Sequence, residues 1–338
     1  MKPTIEHPSL TTLPGATLCN GSQDQSENIL RMAEIFNATK DVSGANWVMT
    51  VEDLEVEYAR RPNFDPCTQS WFVEKDERTI GTAECYWFDL PIEKRRVFRV
   101  MMYWRKEYFS TPLPDLLFEL SENKCRELAA NMETDLELVF SSWTMKKAEA
   151  RHKVFKAHGY QDVRYFFNMT RDCSEKLDEY PLPAGVVIRG AEENEYRKVF
   201  DAFNEAFHDH WGYAEMNDED FASWQQGRHF QPELWKIAWD GDQVCGTVLN
   251  YVDEAENEEY NRKRGYTETI SVRRPWRGKG IAKAAIAESI RMFTAMGMEE
   301  CALGVDAENP SGALRLYQSL GFKEAEDQTS IILGKTFD

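Results

Sequence analysis

The chain reads twice, and this repetition constrains its architecture more than any other feature. Trp71-Phe72-Val73-Glu74, a charged turn and Thr79-Ile80-Gly81-Thr82-Ala83 are echoed by Lys236-Ile237-Ala238-Trp239, Asp240-Gly241-Asp242 and Val244-Cys245-Gly246-Thr247-Val248. Each set reads as a strand, a tight turn and a second strand. Farther along, Val154-Phe155-Lys156-Ala157-His158-Gly159-Tyr160 is echoed by Leu316-Tyr317-Gln318-Ser319-Leu320-Gly321-Phe322. Here each reads as a helix end, a glycine just past it and a returning strand. Gly81 to Gly246 is 165 residues and Gly159 to Gly321 is 162. A period of domain length means a duplicated domain rather than a solenoid.

With 338 residues there is room for two such domains. The polar stretch after Arg171 contains Pro181 and Pro183 and reads as a linker, which gives domains at 1–172 and 186–338 joined by 173–185. The second half reads as a strand at 186–189, a helix to about 207, strands near 234–239, 243–252 and 266–272, and a helix at 280–296. A strand at 300–305, a helix at 309–320 and a closing strand near 329–333 follow. Strands alternate with helices only in part, so an α/β fold with a mixed sheet flanked by helices is expected.

A net charge of −18 disfavours nucleic acid and favours cationic partners such as amines. No run of about 18 apolar residues suggests a membrane span, and the first 20 residues do not read as a secretory signal. Seven cysteines without C-x-x-C spacing argue against a disulfide framework and a zinc cluster, and no metal is expected. Reduced thiols in a cytoplasmic protein fit best.

The strongest local signal follows the strand Thr267–Val272. A turn, Arg273-Arg274-Pro275-Trp276, leads to Arg277-Gly278-Lys279-Gly280 and then to the Ala-rich helical run Ile281-Ala282-Lys283. A helix start presents free N–H groups and a positive dipole end, and the glycines let a ligand approach the backbone. In physical terms this is a pyrophosphate cradle. It is neither a Walker A loop nor a G-x-G-x-x-G fingerprint, because position 283 is Lys283.

Arg277-x-x-Gly280-x-Ala282 after that strand, followed in order by Asn309 and by Tyr317-x-x-x-Gly321-Phe322, resembles the acetyl-CoA motifs of the GNAT acyltransferase superfamily. The resemblance covers most of 186–337. It implies two tandem GNAT-like domains, each a mixed, mostly antiparallel twisted sheet flanked by helices. It also implies an acetyl-CoA-dependent N-acetyltransferase, acting by direct attack in a ternary complex on the primary amine of a small molecule, amino sugar or peptide. The alternative is a non-catalytic acetyl-CoA-binding or interaction protein. Either a monomer or a homodimer is compatible.

By that resemblance, the amides from Gly278 through Lys279, Gly280, Ile281 and Ala282 to Lys283 hold pyrophosphate, with Arg277 beside them. Ile270, Ser271 and Val272 pair with the pantetheine arm on a strand that splays from its neighbour, and Asn309 and Ser311 bind farther along it. From the residues alone, Asn309 also reads as a helix cap. Tyr317 is the expected proton donor to the leaving thiol, its ordinary pKa of about 10 suiting that task. Glu268 shares strand parity with Ile270 and Val272 and is the candidate base. His208, His210, Trp211 and Tyr213 lie in the segment expected to line the acceptor side. Tyr251 joins them, and Asp253 and Glu254 could read a cation.

The first copy departs from these motifs. Aligning Val100–Arg105 with Val272–Arg277 puts Lys106-Glu107-Tyr108-Phe109 against the glycine loop. No glycine occurs between Gly81 and Gly159, Phe155 stands where Tyr317 does, and Lys147 where Asn309 does. A degenerate first half joined to an active second half is therefore expected, as in tandem members of the family.

Overall fold

The computed structural model describes residues 4–45, 47–309, 311–325 and 328–337. The first strands are β1 (Thr4–Ile5), β2 (Thr17–Asn20), β3 (Ser70–Lys75), β4 (Arg78–Leu90), β5 (Arg95–Trp104) and β6 (Glu137–Met145). They are followed by β7 (Gln161–Asp172), β8 (Val186–Arg189), β9 (Lys236–Asp240) and β10 (Gln243–Val252). The last four are β11 (Arg264–Val272), β12 (Glu300–Asp306), β13 (Lys323–Glu324) and β14 (Ser330–Thr336). The chain forms two compact units, 1–165 with 327–338, and 166–326.

In the first unit the sheet order is β1-β2-β3-β4-β5-β6-β14, with only β5–β6 parallel. The helix Leu113–Ala130 buries Leu113, Leu116, Leu117 and Phe118 on one sheet face, against Phe98, Val100 and Trp104. The alternate residues of β5, Met101 and Tyr103, face the helices Gln25–Ala38 and Val51–Arg60 through a second core.

In the second unit the order is β8-β9-β10-β11-β12-β7, with only β11–β12 parallel, and β13 pairs with β7. The helix Ile281–Ala295 packs Ala285, Ile286, Ile290 and Phe293 on one face. The helix Tyr196–Phe207 carries Val199, Phe200 and Phe203 at helical spacing, and these meet Trp235 and Trp239 on the other face. Each unit is thus a mixed, mostly antiparallel sheet between helices. Among the described residues no helix is long and apolar enough to cross a membrane, and no three His, Cys, Asp or Glu residues form a metal-ligand group.

The compact units differ in extent from domains divided at 172 and 186. The last strand, expected to close the second sheet, pairs instead with β6, from Ser330 with Met145 to Thr336 with Val139. The place beside β12 is taken by Phe166–Asp172, which would have ended the first domain. Strand pairing is long-range and leaves no mark on local periodicity, so the expected boundaries could not anticipate it. The helix expected at 309–320 is confined to Ala313–Ser319, because Gly312 precedes it with φ 78°.

Candidate active site

Strand β11 is the centre of the second unit's site. It pairs with β12 only from Arg264 with Glu300 to Tyr266 with Ala302, after which the two parallel strands part. The far end of β11 therefore has an open edge of backbone groups. On its other side β11 follows β10, but the register slips between Thr247 and Leu249. Thr269 is the extra residue, with φ 45°, and its carbonyl accepts from Thr247 Oγ1 at 2.8 Å. A bulge of this kind re-aims the side chains beyond it.

The bulge overturns the parity argument for Glu268. Glu268 pairs with Leu249 and Ser271 with Thr247, two positions on one face of β10. Glu268 thus shares its face with Ser271, while Ile270 and Val272 pack on the other face. Glu268 turns toward the gap between β11 and β12, where Oε1 accepts from the Gly304 N–H at 2.8 Å. Burial pushes its carboxyl pKa up to about 7, opposed only by that hydrogen bond.

From Val272 the chain makes a short turn, Arg274–Trp276, and enters the helix at Ile281. Gly278 and Gly280 have φ of 74° and 81°, a region side chains resist, and nothing lies within 4 Å of the position a Cβ would take on either. The first helical bond is Ala284 N–H to Gly280 C=O at 3.0 Å, so the amides before it point forward into open space. Lys279 is exposed beside them. Arg277 behaves otherwise than expected. Its guanidinium donates to the carbonyls of Val272 at 2.9 Å and Ala206 at 3.0 Å, and to Asp209 at 2.9 Å. Asp209 also pairs with Arg274, and the two arginines hold its carboxyl far below the usual range. Arg277 is therefore a strut for the loop. Asp209 lay inside the segment singled out in the sequence, but nothing there distinguished it from a surface acid.

One cavity of about 560 Å³ gathers these parts. Its walls include Ile270, Ser271, Val272 and Arg277, then Gly278, Gly280, Ile281, Ala282 and Lys283, and finally Asn309, Ser311 and Tyr317. Lys279 is not on the wall, whereas Trp276, Gly312 and Leu316, which the sequence did not single out, are. Asn309 does not cap the helix. Gly312 holds that position, and Asn309 Oδ1 instead accepts from Ser311 N–H at 2.9 Å. Tyr317 is 6% exposed, and burial, then the charge of Glu268, raises its pKa. Its hydroxyl is a firmly protonated donor.

The acceptor-side candidates scatter. His210 lines the cavity, and burial lowers its pKa. His208, Trp211, Tyr213 and Tyr251 do not line it. Tyr213 is tied to Asn204 at 2.8 Å, with the His208 ring beside it, and Trp211 lies near Phe166. Tyr251 pairs across with Tyr266 on the Glu268 face and is stacked between the Tyr266 and His229 rings at 4.8 and 4.1 Å. Asp253 is not free to read a cation: its carboxylate is taken by Arg228 at 2.6 Å and His229 at 2.9 Å. Glu254 is exposed at the start of a short helix.

The first unit shows the same frame without the cradle, and it corrects the alignment drawn from sequence. Gly81 pairs with Trp104 as Gly246 pairs with Val272, and Arg105 N–H bonds Ile80 as Arg273 N–H bonds Cys245. Arg105 thus matches Arg273, not Arg277, and Phe109-Ser110-Thr111-Pro112 replaces Arg277-Gly278-Lys279-Gly280. The repeated Trp-Arg dipeptide had suggested a register four residues off. Pro112 has φ −67° where Gly280 has 81°, and it offers no N–H. Strand β5 also keeps unbroken register with β4, so the bulge is missing. Phe155 does stand at the place of Tyr317, each closing its helix with a bond to the residue five on, Tyr160 or Phe322.

Comparison with known proteins agrees with this geometry. Residues 196–322 match the model of the acetyltransferase (GNAT) family. The chain is 22% identical over 200 residues to a mycothiol acetyltransferase of Nocardioides, covering 56% of this chain and 68% of that one. Matches to curated relatives span 47–68% of those proteins' own lengths. A GCN5-related N-acetyltransferase from Sphaerobacter thermophilus superposes with TM-score 0.69 at 20% identity, over 96% of both chains. A tandem GNAT protein from the clavulanic acid biosynthesis pathway gives 0.65 at 10%, over 95% of this chain and 98% of that one. The splayed strand, the bulge and the glycine-led helix start all lie within the matched segment, so residues 196–322 belong to the acetyltransferase (GNAT) family, and the chain as a whole has the fold of tandem GNAT proteins.

Proposed function

We propose that the second unit is an acetyl-CoA-dependent N-acetyltransferase and that the first is catalytically silent. The observation that carries this reading is the single cavity in which the open edge of β11, the amides of the helix start and the Tyr317 hydroxyl converge. The pyrophosphate fits the open space over Gly278 and Gly280, where unbonded amides and Lys279 supply positive potential. The backbone of Ile270 and Val272 suits the amides of a pantetheine arm, with Asn309 and Ser311 farther along the same wall. Acetyl-CoA supplies the thioester, its carbonyl carbon open to attack and its thiolate the leaving group.

The remaining chemistry belongs to the protein. Glu268, set back from the cavity wall in the β11–β12 gap but near enough for its charge to act on Tyr317, has a pKa near neutrality and takes a proton from the incoming ammonium through a bridging water, leaving the amine nucleophilic. Tyr317 holds a proton for the departing sulfur. The net charge of −18 favours a cationic acceptor: a small amine, an amino sugar or a peptide N-terminus. The test is Tyr317→Phe with acetyl-CoA and an amine panel. Unchanged acetyl-CoA affinity with turnover down about 100- to 10,000-fold supports the assignment. Unchanged turnover refutes it.

A further inference from the structure

The first unit has lost its cradle but retains a second cavity, of about 280 Å³, on the sheet face opposite the helix Leu113–Ala130. This is just below the roughly 300–1,000 Å³ usual for drug-sized ligands and suits a smaller one. Aromatic rings form one side. Trp47 lies 5.4 Å from Trp143 and 5.9 Å from Phe36, and Phe36 meets Tyr103 edge-on at 5.3 Å. These are flat, rigid surfaces suited to an aryl or branched apolar group.

The other side is polar, and its charges are unequally provided for. Arg61 pairs with Glu57 at 2.5 Å and with Glu84 at 2.6 Å, and the Tyr58 hydroxyl donates to the second oxygen of Glu84. Both carboxylates are therefore occupied. Arg99, on β5 opposite Tyr86, has no such partner. Its Nε is buried without a hydrogen bond, and among the described residues its guanidinium has no ion-pair partner and lies 5.9 Å from the Phe88 ring. Burial pulls its pKa below the ordinary arginine value, and only Tyr86 opposes the shift. A guanidinium withdrawn in part from water without a counter-ion is costly, and a fold keeps one where something else completes it. The second unit carries no cation at this register: there Tyr251 stacks on Tyr266. The arginine is specific to the half without the acetyl-CoA motifs.

We propose that this cavity binds a small monocarboxylate with an aromatic or branched apolar body, the carboxylate on Arg99 and the body among Trp47, Trp143 and Phe36. Arginine presents a planar fork that matches a carboxylate in two parallel hydrogen bonds. The first unit then serves as a ligand-binding module in its own right. The proposal stands on that unit alone and does not depend on acetyl transfer in the second.

The test is ¹⁹F NMR of the full chain labelled with 5-fluorotryptophan, with the Trp47 and Trp143 resonances assigned from Trp47→Phe and Trp143→Phe. The probes are benzoate, 3-phenylpropionate and indole-3-acetate, each beside its primary amide, to about 5 mM, which reaches Kd values in the millimolar range. At least one carboxylate should shift both resonances saturably, with its amide about tenfold weaker, as expected for losing a charge-assisted bond. Arg99→Met should abolish that preference while leaving the amide's weak binding unchanged, and Arg99→Lys should restore part of it. The other tryptophan resonances report that each variant is folded. The proposal is overturned if no carboxylate shifts the two resonances, if acid and amide bind equally, or if Arg99→Met binds the acid as well as the parent does.

Discussion

Replacing Glu268 with Gln separates catalysis from stability in opposite directions. Gln keeps an oxygen that can accept the Gly304 N–H, so the gap between β11 and β12 stays bridged. What it loses is the charge. Burial raises the Glu268 carboxyl from an ordinary 4.5 to about 7. Below pH 4.5 the group is protonated whether the chain is folded or not, and it costs nothing. Between pH 4.5 and 7 the folded state holds a proton that the unfolded state releases, so stability falls as pH rises, and it levels off above 7. At about 1.4 kcal/mol per pKa unit the ceiling is roughly 3 kcal/mol. Glu268→Gln should therefore stabilise the protein at pH 8 by up to about 3 kcal/mol, with no gain at pH 4. Turnover should fall about 100- to 10,000-fold and lose its rise with pH through about 7. Urea midpoints at pH 4, 6 and 8, with pH–rate profiles for both proteins, measure the two effects. A variant that keeps the pH limb in kcat/KM, or that gains no stability at pH 8, would refute the reasoning.

Three further outcomes follow from the geometry. Gly265→Ala places a Cβ 2.4 Å from the buried Phe293 ring, so the urea midpoint should drop by the equivalent of about 1–3 kcal/mol or more. Asp209→Asn and Arg277→Met should each weaken acetyl-CoA binding, and a double-mutant cycle by calorimetry should show the two effects to be non-additive by about 0.5 kcal/mol or more, because both release the same loop. Tyr317→Phe should leave acetyl-CoA affinity unchanged in the same titration, since its role is proton donation rather than binding.

The parts of the site that the sequence revealed are those encoded locally. The loop Arg277–Gly280, the helix after it and the Tyr317-to-Gly321 spacing are contiguous, and each residue type reflects a backbone or chemical need at its own position. What the sequence concealed depends on partners. Glu268 changes faces because Thr269 is inserted against β10, and an extra residue cannot be seen in one strand alone. Arg277 reads as a phosphate ligand until Asp209 and two carbonyls are found around it. The last strand reads as the natural end of the second domain, yet its alternation of buried and half-buried residues suits either sheet. In the first half the Trp-Arg repeat outweighed the weaker but correct cue, the Gly-Thr pair at Gly81 and Gly246.

The central claim, one working site in a chain with two copies of the fold, is tested most directly by calorimetric titration of acetyl-CoA into the full chain beside its Gly280→Glu variant. The variant forces a side chain into φ 81° and places a negative charge at the helix start, while the first unit is untouched. One site per chain, lost in the variant, is the predicted result. Two sites, or one that survives Gly280→Glu, would contradict it.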